Sequence, residues 1–323
     1  MPPPNNLLQL ANKIHANEES LPRKIILFGA PGSAKTHIAA TIAKVPSITR
    51  IFWFDAENGI ETVIYAKDSQ GRPLLTNEQM AKIIPIRIED TKELPRFAET
   101  ALKTFTAQRG VTIDAETGVV LGDIGVNSIN GSGIPLNIFT LTDSDAIVID
   151  SLSQLADSVI TLANNTLDLD KPDARRIFGQ ANPDLGAILS GIQATKATVV
   201  VCTHTIDITK VVNKGTKQEY EKLLQTVPMC GSRPFSNKVG KYFGYKIYTY
   251  VDGTTYKATC KVGKIEKVQV ASRRPISFEG DLDPSLEKIF FSEEEEQKAT
   301  EQAKTNPVGI KIPTISITIP SKK

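Results

Sequence analysis

Short, unbroken apolar runs recur along this chain at intervals of a strand and a helix. They are Lys24-Ile25-Ile26-Leu27-Phe28, Ile51-Phe52-Trp53-Phe54, Asp145-Ala146-Ile147-Val148-Ile149-Asp150 and Ala197-Thr198-Val199-Val200-Val201-Cys202-Thr203-His204. Runs of that kind, without polar alternation, predict strands buried on both faces. Helical spacing follows the first three and precedes the last. It is visible over 35–44, from Gly59 through Lys67, from Ser151 to Ala163, and over 183–195. A further amphipathic helix is predicted over 92–107, with Leu94, Phe97, Ala101, Leu102 and Phe105 on one face. Ile83-Ile84-Pro85-Ile86-Arg87-Ile88 is another strand, and its Pro85 predicts an edge position or a strand start. Strands alternating with helices predict an α/β fold with a mostly parallel central sheet flanked by helices.

The rhythm breaks in several places. Residues 110–142, rich in Gly, Asn, Ser and Thr, predict a β-hairpin insertion with strands near 119–121 and 137–141. Residues 164–173 are polar and predict a loop. Residues 206–241 carry turn signals and no sustained period. After them, 246–251, 255–260 and 267–270 predict C-terminal antiparallel strands, the first two joined by the hairpin signal Asp252-Gly253. The ends differ from the middle. Leu7, Leu8, Leu10 and Ile14 predict an N-terminal helical extension within 1–20. Glu293-Glu294-Glu295-Glu296 predicts an acidic helix, and a flexible Pro-punctuated tail follows, over 292–323. The main domain is therefore expected over 21–291.

Composition narrows the class. Of 323 residues, 40% are hydrophobic and 23% charged, ordinary values for a globular protein. The net charge is only +2, so any attraction for nucleic acid must be local. The three cysteines, Cys202, Cys230 and Cys260, are widely spaced and form no C-x-x-C, which argues against a disulfide framework or a zinc site. No apolar run approaches the ~20 residues a bilayer demands, and the N-terminus lacks signal-peptide character. These features predict a cytoplasmic protein with no membrane partner.

The candidate chemistry starts at Gly29-Ala30-Pro31-Gly32-Ser33-Ala34-Lys35-Thr36, which follows the first strand and leads into a helix through His37. A glycine-rich turn entering a helix N-terminus aims several backbone N–H groups at one point, where the helix dipole adds positive potential. The pattern is that of a phosphate-binding P-loop. Lys35 is expected on the β- and γ-phosphates and the Thr36 hydroxyl on Mg²⁺, which makes ATP and Mg²⁺ the expected ligands. Ala34 stands where the pattern has glycine. If φ is positive there, the methyl costs roughly 1 kcal/mol; if φ is helical, almost nothing. Asp150, an acid ending an apolar strand, is the second candidate metal ligand, with helix capping by Asp150 or Ser151 as the alternative. Hydrolysis also requires a group to orient or deprotonate water. Asp55 and Glu57, alternating at the end of the second strand, are equal candidates by spacing, one for the nucleotide and one for the next helix. His204 ends its strand where a polar side chain can sense the γ-phosphate.

In order, the P-loop, Phe54-Asp55-Ala56-Glu57-Asn58, Ile147-Val148-Ile149-Asp150-Ser151-Leu152 and Val199-Val200-Val201-Cys202-Thr203-His204 resemble the RecA-type P-loop NTPase core over about 22–280. The Thr-His ending resembles RecA-like single-strand annealing proteins of bacteriophages (the Sak-four type). The resemblance implies Glu57 as the water-activating residue and His204 as the link between phosphate state and a DNA-binding loop. It also implies a homo-oligomer, ring or filament, whose neighbour supplies an arginine to the site. Arg274 is the first candidate, Arg273 the second and Arg233 a third. In that family the DNA-binding loop lies in the region corresponding to 206–246 here. The segment holds eight cations against three carboxylates, and the rings of Tyr220, Phe235, Tyr242 and Phe243. Basic residues interleaved with aromatics suit single-stranded nucleic acid. Lys210, Lys214, Lys217, Arg233 and Lys238 are the candidate DNA contacts.

The expected activity is ATP hydrolysis on single-stranded DNA in recombination, annealing or replication, with a single-strand binding protein as a further partner. Two alternatives stand beside it. One is a nucleotide-gated DNA-binding protein with negligible turnover; the other is a motor or assembly ATPase acting on a protein.

Overall fold

Strand β1 (Lys24–Gly29) is buried along its whole length, as are β7 (Asp145–Asp150) and β8 (Thr198–Thr203). They form the middle of a seven-stranded sheet with β2 (Arg50–Asp55), β3 (Ile83–Arg87), β11 (Tyr245–Asp252) and β12 (Thr255–Thr259), in the order β12-β11-β1-β8-β7-β2-β3. This arrangement is seen in a computed structural model, which describes residues 22–106, 110–124, 133–167, 173–215, 219–273 and 276–290. Contacts divide the chain into Met1–Ile289 and Phe290–Lys323, and every element named here belongs to the first. The expected N-terminal helix, acidic helix and tail lie outside the described residues.

Five of the six strand pairings in this sheet are parallel; only β11–β12 is antiparallel. The α/β fold with a mostly parallel sheet is therefore the one the apolar runs predict. Pro85 sits in β3, the outermost strand, where a missing N–H leaves no ladder bond unmade. One face of the sheet presents Ile26, Phe54, Ile147, Ile149, Val199 and Val201 to the helices α4 (Arg96–Thr106), α5 (Leu152–Leu167) and α6 (Ala174–Ala194). Each such aliphatic or aromatic side chain, fully buried, contributes roughly 1.5–3 kcal/mol. Gly191 is required at the α4–α6 crossing, because a Cβ there would lie 1.9 Å from the Phe105 carbonyl oxygen. On the other face run α1 (Lys35–Ala40) and α2 (Gly59–Tyr65), and the short α3 (Asn77–Met80) carries a Thr76–Gln79 capping box.

Several expectations are corrected. The 110–142 insertion is a three-stranded antiparallel sheet, β5-β4-β6, made of β4 (Val111–Asp114), β5 (Val120–Asp123) and β6 (Gly133–Leu136). Residues 137–141, expected as a strand, turn away after β6, with the Asn137 side chain accepting from the Phe139 N–H at 3.0 Å. Helix α5 reaches Leu167, into the expected loop, and α6 begins at Ala174 with Pro183 inside it. Leu94 precedes α4 and is exposed.

The largest differences lie after His204. The irregular stretch is a two-stranded antiparallel ribbon, β9 (Thr205–Val212) and β10 (Tyr220–Pro228), followed by α7 (Arg233–Val239). Strand β11, expected in an antiparallel group, runs parallel to β1, pairing Phe28 with Tyr248 and Gly29 with Thr249. Residues 267–270 form no strand of their own. They bond instead to β10, where Thr226 N–H donates to Lys267 at 2.7 Å and Gln269 N–H to Thr226 at 3.0 Å, while the next residue, Ala271, accepts from the Lys246 N–H of β11 at 2.8 Å.

Candidate functional site

The phosphate-loop residues leave the carboxyl end of β1 and enter α1 at Lys35. Gly32 has φ +74°, which favours glycine. Ala34 has φ 64° and ψ 24°, the left-handed conformation, so the departure from pattern is a strained one. The loop is fixed to β11: Ser33 Oγ and Thr249 Oγ1 are 2.8 Å apart, and a Cβ on Gly29 would fall 2.2 Å from the Thr249 carbonyl oxygen. Lys35 is buried, its ammonium donating to the carbonyls of Gly29 at 3.2 Å and Ala30 at 2.9 Å. Burial pulls its pKa below the usual lysine value, while the nearby Asp150 and Glu57 carboxylates oppose that shift.

Thr36 Oγ1 donates to Asp150 Oδ2 at 2.8 Å, joining the start of α1 to the end of β7. Asp150 is buried, which pushes its carboxyl up to about 6; Glu57 and Asp55 add to the shift and the Thr36 bond opposes it. The Asp150–Ser151 peptide is cis. Gly59 opens α2 against this carboxylate, since a Cβ there would lie 2.4 Å from Asp150 Oδ2. One hydroxyl and one carboxylate facing a phosphate cradle suit Mg²⁺, which takes its remaining oxygens from phosphates and water. Groups of three or more His, Cys, Asp or Glu able to hold a metal do not occur among the described residues.

The two acids of the second strand end are separated by their bonds. Asp55 accepts from the N–H groups of Gly59 at 2.7 Å and Ile60 at 3.1 Å, capping α2. Glu57 accepts from Ser151 Oγ. Because a carboxylate can only accept, the Ser151 hydroxyl proton points to Glu57, and Ser153, 3.0 Å away, must donate to Ser151. Ser153 Oγ in turn accepts from the His204 N–H at 3.4 Å. A directed chain thus runs from the first residue after β8 to Glu57. The Nδ1 of His204 is buried with no hydrogen-bond partner among the described residues, and burial raises the pKa of the nearby Asp157.

Lys35, Thr36, Glu57, Asp150 and His204 line one cavity of about 320 Å³, with Pro31 to Ala34, His37, Thr62 and Tyr256. Residues from four separate strand ends meet there. Asp55 instead lines a wider cleft of about 720 Å³ on the β3 side, with Arg87, Glu89 and Glu116. Of the arginine candidates, Arg233 and Arg273 are not among the residues lining the cavity. Arg273 lies over Gly244, where a Cβ would meet its Nε at 2.5 Å; Arg274 lies outside the described residues. Arg233 and Lys238 are exposed on α7, and Lys210 and Lys214 are exposed on the ribbon and its turn; Lys217 lies outside the described residues. Of the four rings singled out in this segment, Tyr220 is exposed, while Phe243 is buried in the core and Phe235 and Tyr242 pack against it. The expectation of interleaved stacking rings is corrected to one, because α7 and the turn after it carry the others inward. Tyr256, Thr62, Ser151 as the partner of Glu57, and Ser153 were not foreseen. Only the Asp252-Gly253 turn, which folds β12 back along β11, hints that Tyr256 returns to the loop.

Among the described residues, no helix is long and apolar enough to cross a membrane. No protein-family model matches the chain, and no curated protein does. Among solved structures, it is similar to an ATPase of the type III secretion system of pathogenic bacteria, at 14% identity and TM-score 0.39, over 73% of this chain and 54% of that one. It is also similar to the RadB recombinase, at 11% identity and TM-score 0.34, over 74% of this chain and 80% of that one. The chain spans about half the length of the secretion ATPase. Overlap at that level carries no argument, and the fold rests on this chain's own strand order and its strand–loop–helix unit.

Proposed function

We propose that the chain is a RecA-type P-loop ATPase that acts on single-stranded DNA in phage-type recombination, annealing or replication, as a ring or filament of identical subunits. The observation that carries this reading is the meeting of Lys35, Thr36, Asp150, Glu57 and His204 around one cavity at the carboxyl edge of a parallel sheet. Ligands bind at that edge in open α/β sheets.

The loop N–H groups and Lys35 bind the phosphates, and Lys35 exchanges its bonds to Gly29 and Ala30 for phosphate oxygens. Thr36 and Asp150 would hold Mg²⁺, which would supply neutralisation of the triphosphate charge. Glu57, its second oxygen free of the Ser151 bond, orients a water and takes its proton as the water oxygen bonds to the γ-phosphorus. The bond to the β-phosphate oxygen breaks, leaving ADP and inorganic phosphate. His204 faces the departing phosphate, and Arg274 or Arg273 of a neighbouring subunit completes the charge stabilisation.

The ribbon supports the DNA reading. It starts at the residue after His204, and its return is tied there, Met229 N–H donating to the His204 carbonyl at 2.8 Å. Lys210 and Lys222 are directly opposed across it and share a face with Tyr220. Like charges in that position oppose pairing, and a phosphate backbone along the face relieves the repulsion. The test is filter binding of single-stranded DNA over a range of salt concentrations with ATP present. Replacing Lys210 and Lys222 with Ala should flatten the salt slope by up to ~0.7 per lost phosphate contact. ATP binding without DNA should be unchanged. No single-strand affinity at low salt would remove the DNA reading and leave an ATPase that acts on a protein partner.

A further inference from the structure

Glu57 is exposed, on the turn between β2 and α2, yet the chemistry assigned to it needs a fixed carboxylate. The last torsion of a glutamate is broad and two-fold, so the backbone of the turn does not decide which oxygen meets water. What holds the side chain is a pair of buried hydroxyls at the start of α5. Ser151 Oγ donates to Glu57 and accepts from the Gln154 N–H at 3.3 Å, which makes it the α5 cap as well. Ser153 Oγ lies 3.0 Å from Ser151 Oγ. Ser151 and Ser153 are 1% and 4% exposed, and neither is among the residues lining the nucleotide cavity. The direction of this row is dictated at both ends. The His204 N–H, 3.4 Å from Ser153 Oγ, can only donate, and the Glu57 carboxylate can only accept. Ser153 has one proton to give, and it gives it to Ser151.

We propose that Ser153 is a positioning residue for hydrolysis. Its proton turns the Ser151 hydroxyl toward Glu57, which reserves Glu57 Oε1 as an acceptor and leaves Oε2 as the oxygen that takes the proton of water. The proposal rests on the nucleotide reading above. Without the Ser153 donor, the Ser151 oxygen keeps only the longer Gln154 bond. Its rotor is then less firmly set, and the row loses the polarisation that successive hydrogen bonds lend one another. Glu57 gains freedom about its last torsion, and Oε2 faces the water for a smaller fraction of the time. ATP binding is untouched, because Ser153 is not part of the cavity lining.

The test is a double-mutant cycle of Ser153→Ala with Glu57→Gln, read by single-turnover ATP hydrolysis with Mg²⁺ and by calorimetric ATP affinity. Ser153→Ala should slow hydrolysis by about tenfold at unchanged ATP affinity, less than the ~10²-fold that a misplacement of ~1 Å costs. In the Glu57→Gln background the same substitution should change the rate by less than about twofold, because the group it positions is gone. Ser153 is the second residue of α5, where alanine suits the helix. Ser153→Cys, with a weaker donor, is the second variant and should fall between wild type and alanine. A wild-type rate in Ser153→Ala, a further tenfold loss on top of Glu57→Gln, or a cysteine variant slower than the alanine one would each overturn the proposal. So would a loss of ATP affinity that matches the loss of rate, since Ser153 would then act through the phosphate loop. Failure of wild type to bind ATP overturns the nucleotide reading itself.

Discussion

Ala34 is the one position at which the phosphate loop departs from its pattern, and its geometry makes the departure measurable. At φ 64° and ψ 24° it is a left-handed residue carrying a Cβ. That conformation costs an L-residue roughly 1–2 kcal/mol, because Cβ crowds the following carbonyl oxygen. Glycine removes the crowding but loses more backbone freedom on folding, a penalty of roughly 0.5–1 kcal/mol. The difference leaves Ala34→Gly more stable by about 0–1.5 kcal/mol, which for a domain of this size raises Tm by up to about 6 °C. Ala34→Val should move the other way, since a β-branched residue tolerates the left-handed region least. Thermal unfolding of nucleotide-free protein, followed by circular dichroism, reads both. A glycine variant less stable than wild type, or a valine variant equal to it, would refute the left-handed assignment and the strain inferred from it.

Glu57→Gln should keep ATP bound and slow hydrolysis by at least ~10²-fold, whereas Asp55→Ala should chiefly cost ~0.5–2 kcal/mol of stability through the lost α2 cap. Single-turnover hydrolysis and chemical denaturation separate them; reversed effects would move the water-activating role to Asp55. Lys24, donating to the carbonyls of Thr195 at 2.9 Å and Ala197 at 2.6 Å, has its pKa pulled by burial from 10.5 to about 7. Between those values the unfolded chain binds the extra proton, so this group's contribution to stability rises as pH climbs from about 7 toward 10.5. Lys24→Met should lose that rise, as read from denaturant midpoints across the range; an unaltered slope would mean that Lys24 keeps an ordinary pKa.

The central sheet was legible because its strands are buried on both faces, and burial writes itself as apolar runs such as Ile147-Val148-Ile149. The loop, Asp150 and His204 were legible because each sits at the carboxyl end of one of those runs. The choice between Asp55 and Glu57 was not, because it depends on which acid meets the Gly59 and Ile60 N–H groups. The ribbon escaped notice because both its faces are largely exposed, so Thr209, Lys210 and Val211 give no hydrophobic alternation to read. Strand direction leaves no mark in composition, so the parallel pairing of β11 with β1 was hidden. With it went the approach of Tyr256 to the loop, which depends on contacts more than 200 residues apart in sequence, such as Ser33 with Thr249. Phe235, Tyr242 and Phe243 were read as stacking rings beside basic residues; α7 and the turn after it carry them to the core instead.

The central claim is that this cavity binds a nucleoside triphosphate through Lys35. Titration calorimetry of ATP with Mg²⁺ into wild type and Lys35→Ala, with folding checked by circular dichroism, tests it most directly. The account predicts saturable binding by wild type and its loss in a folded Lys35→Ala variant. Equal ATP affinity in the two folded proteins would contradict it.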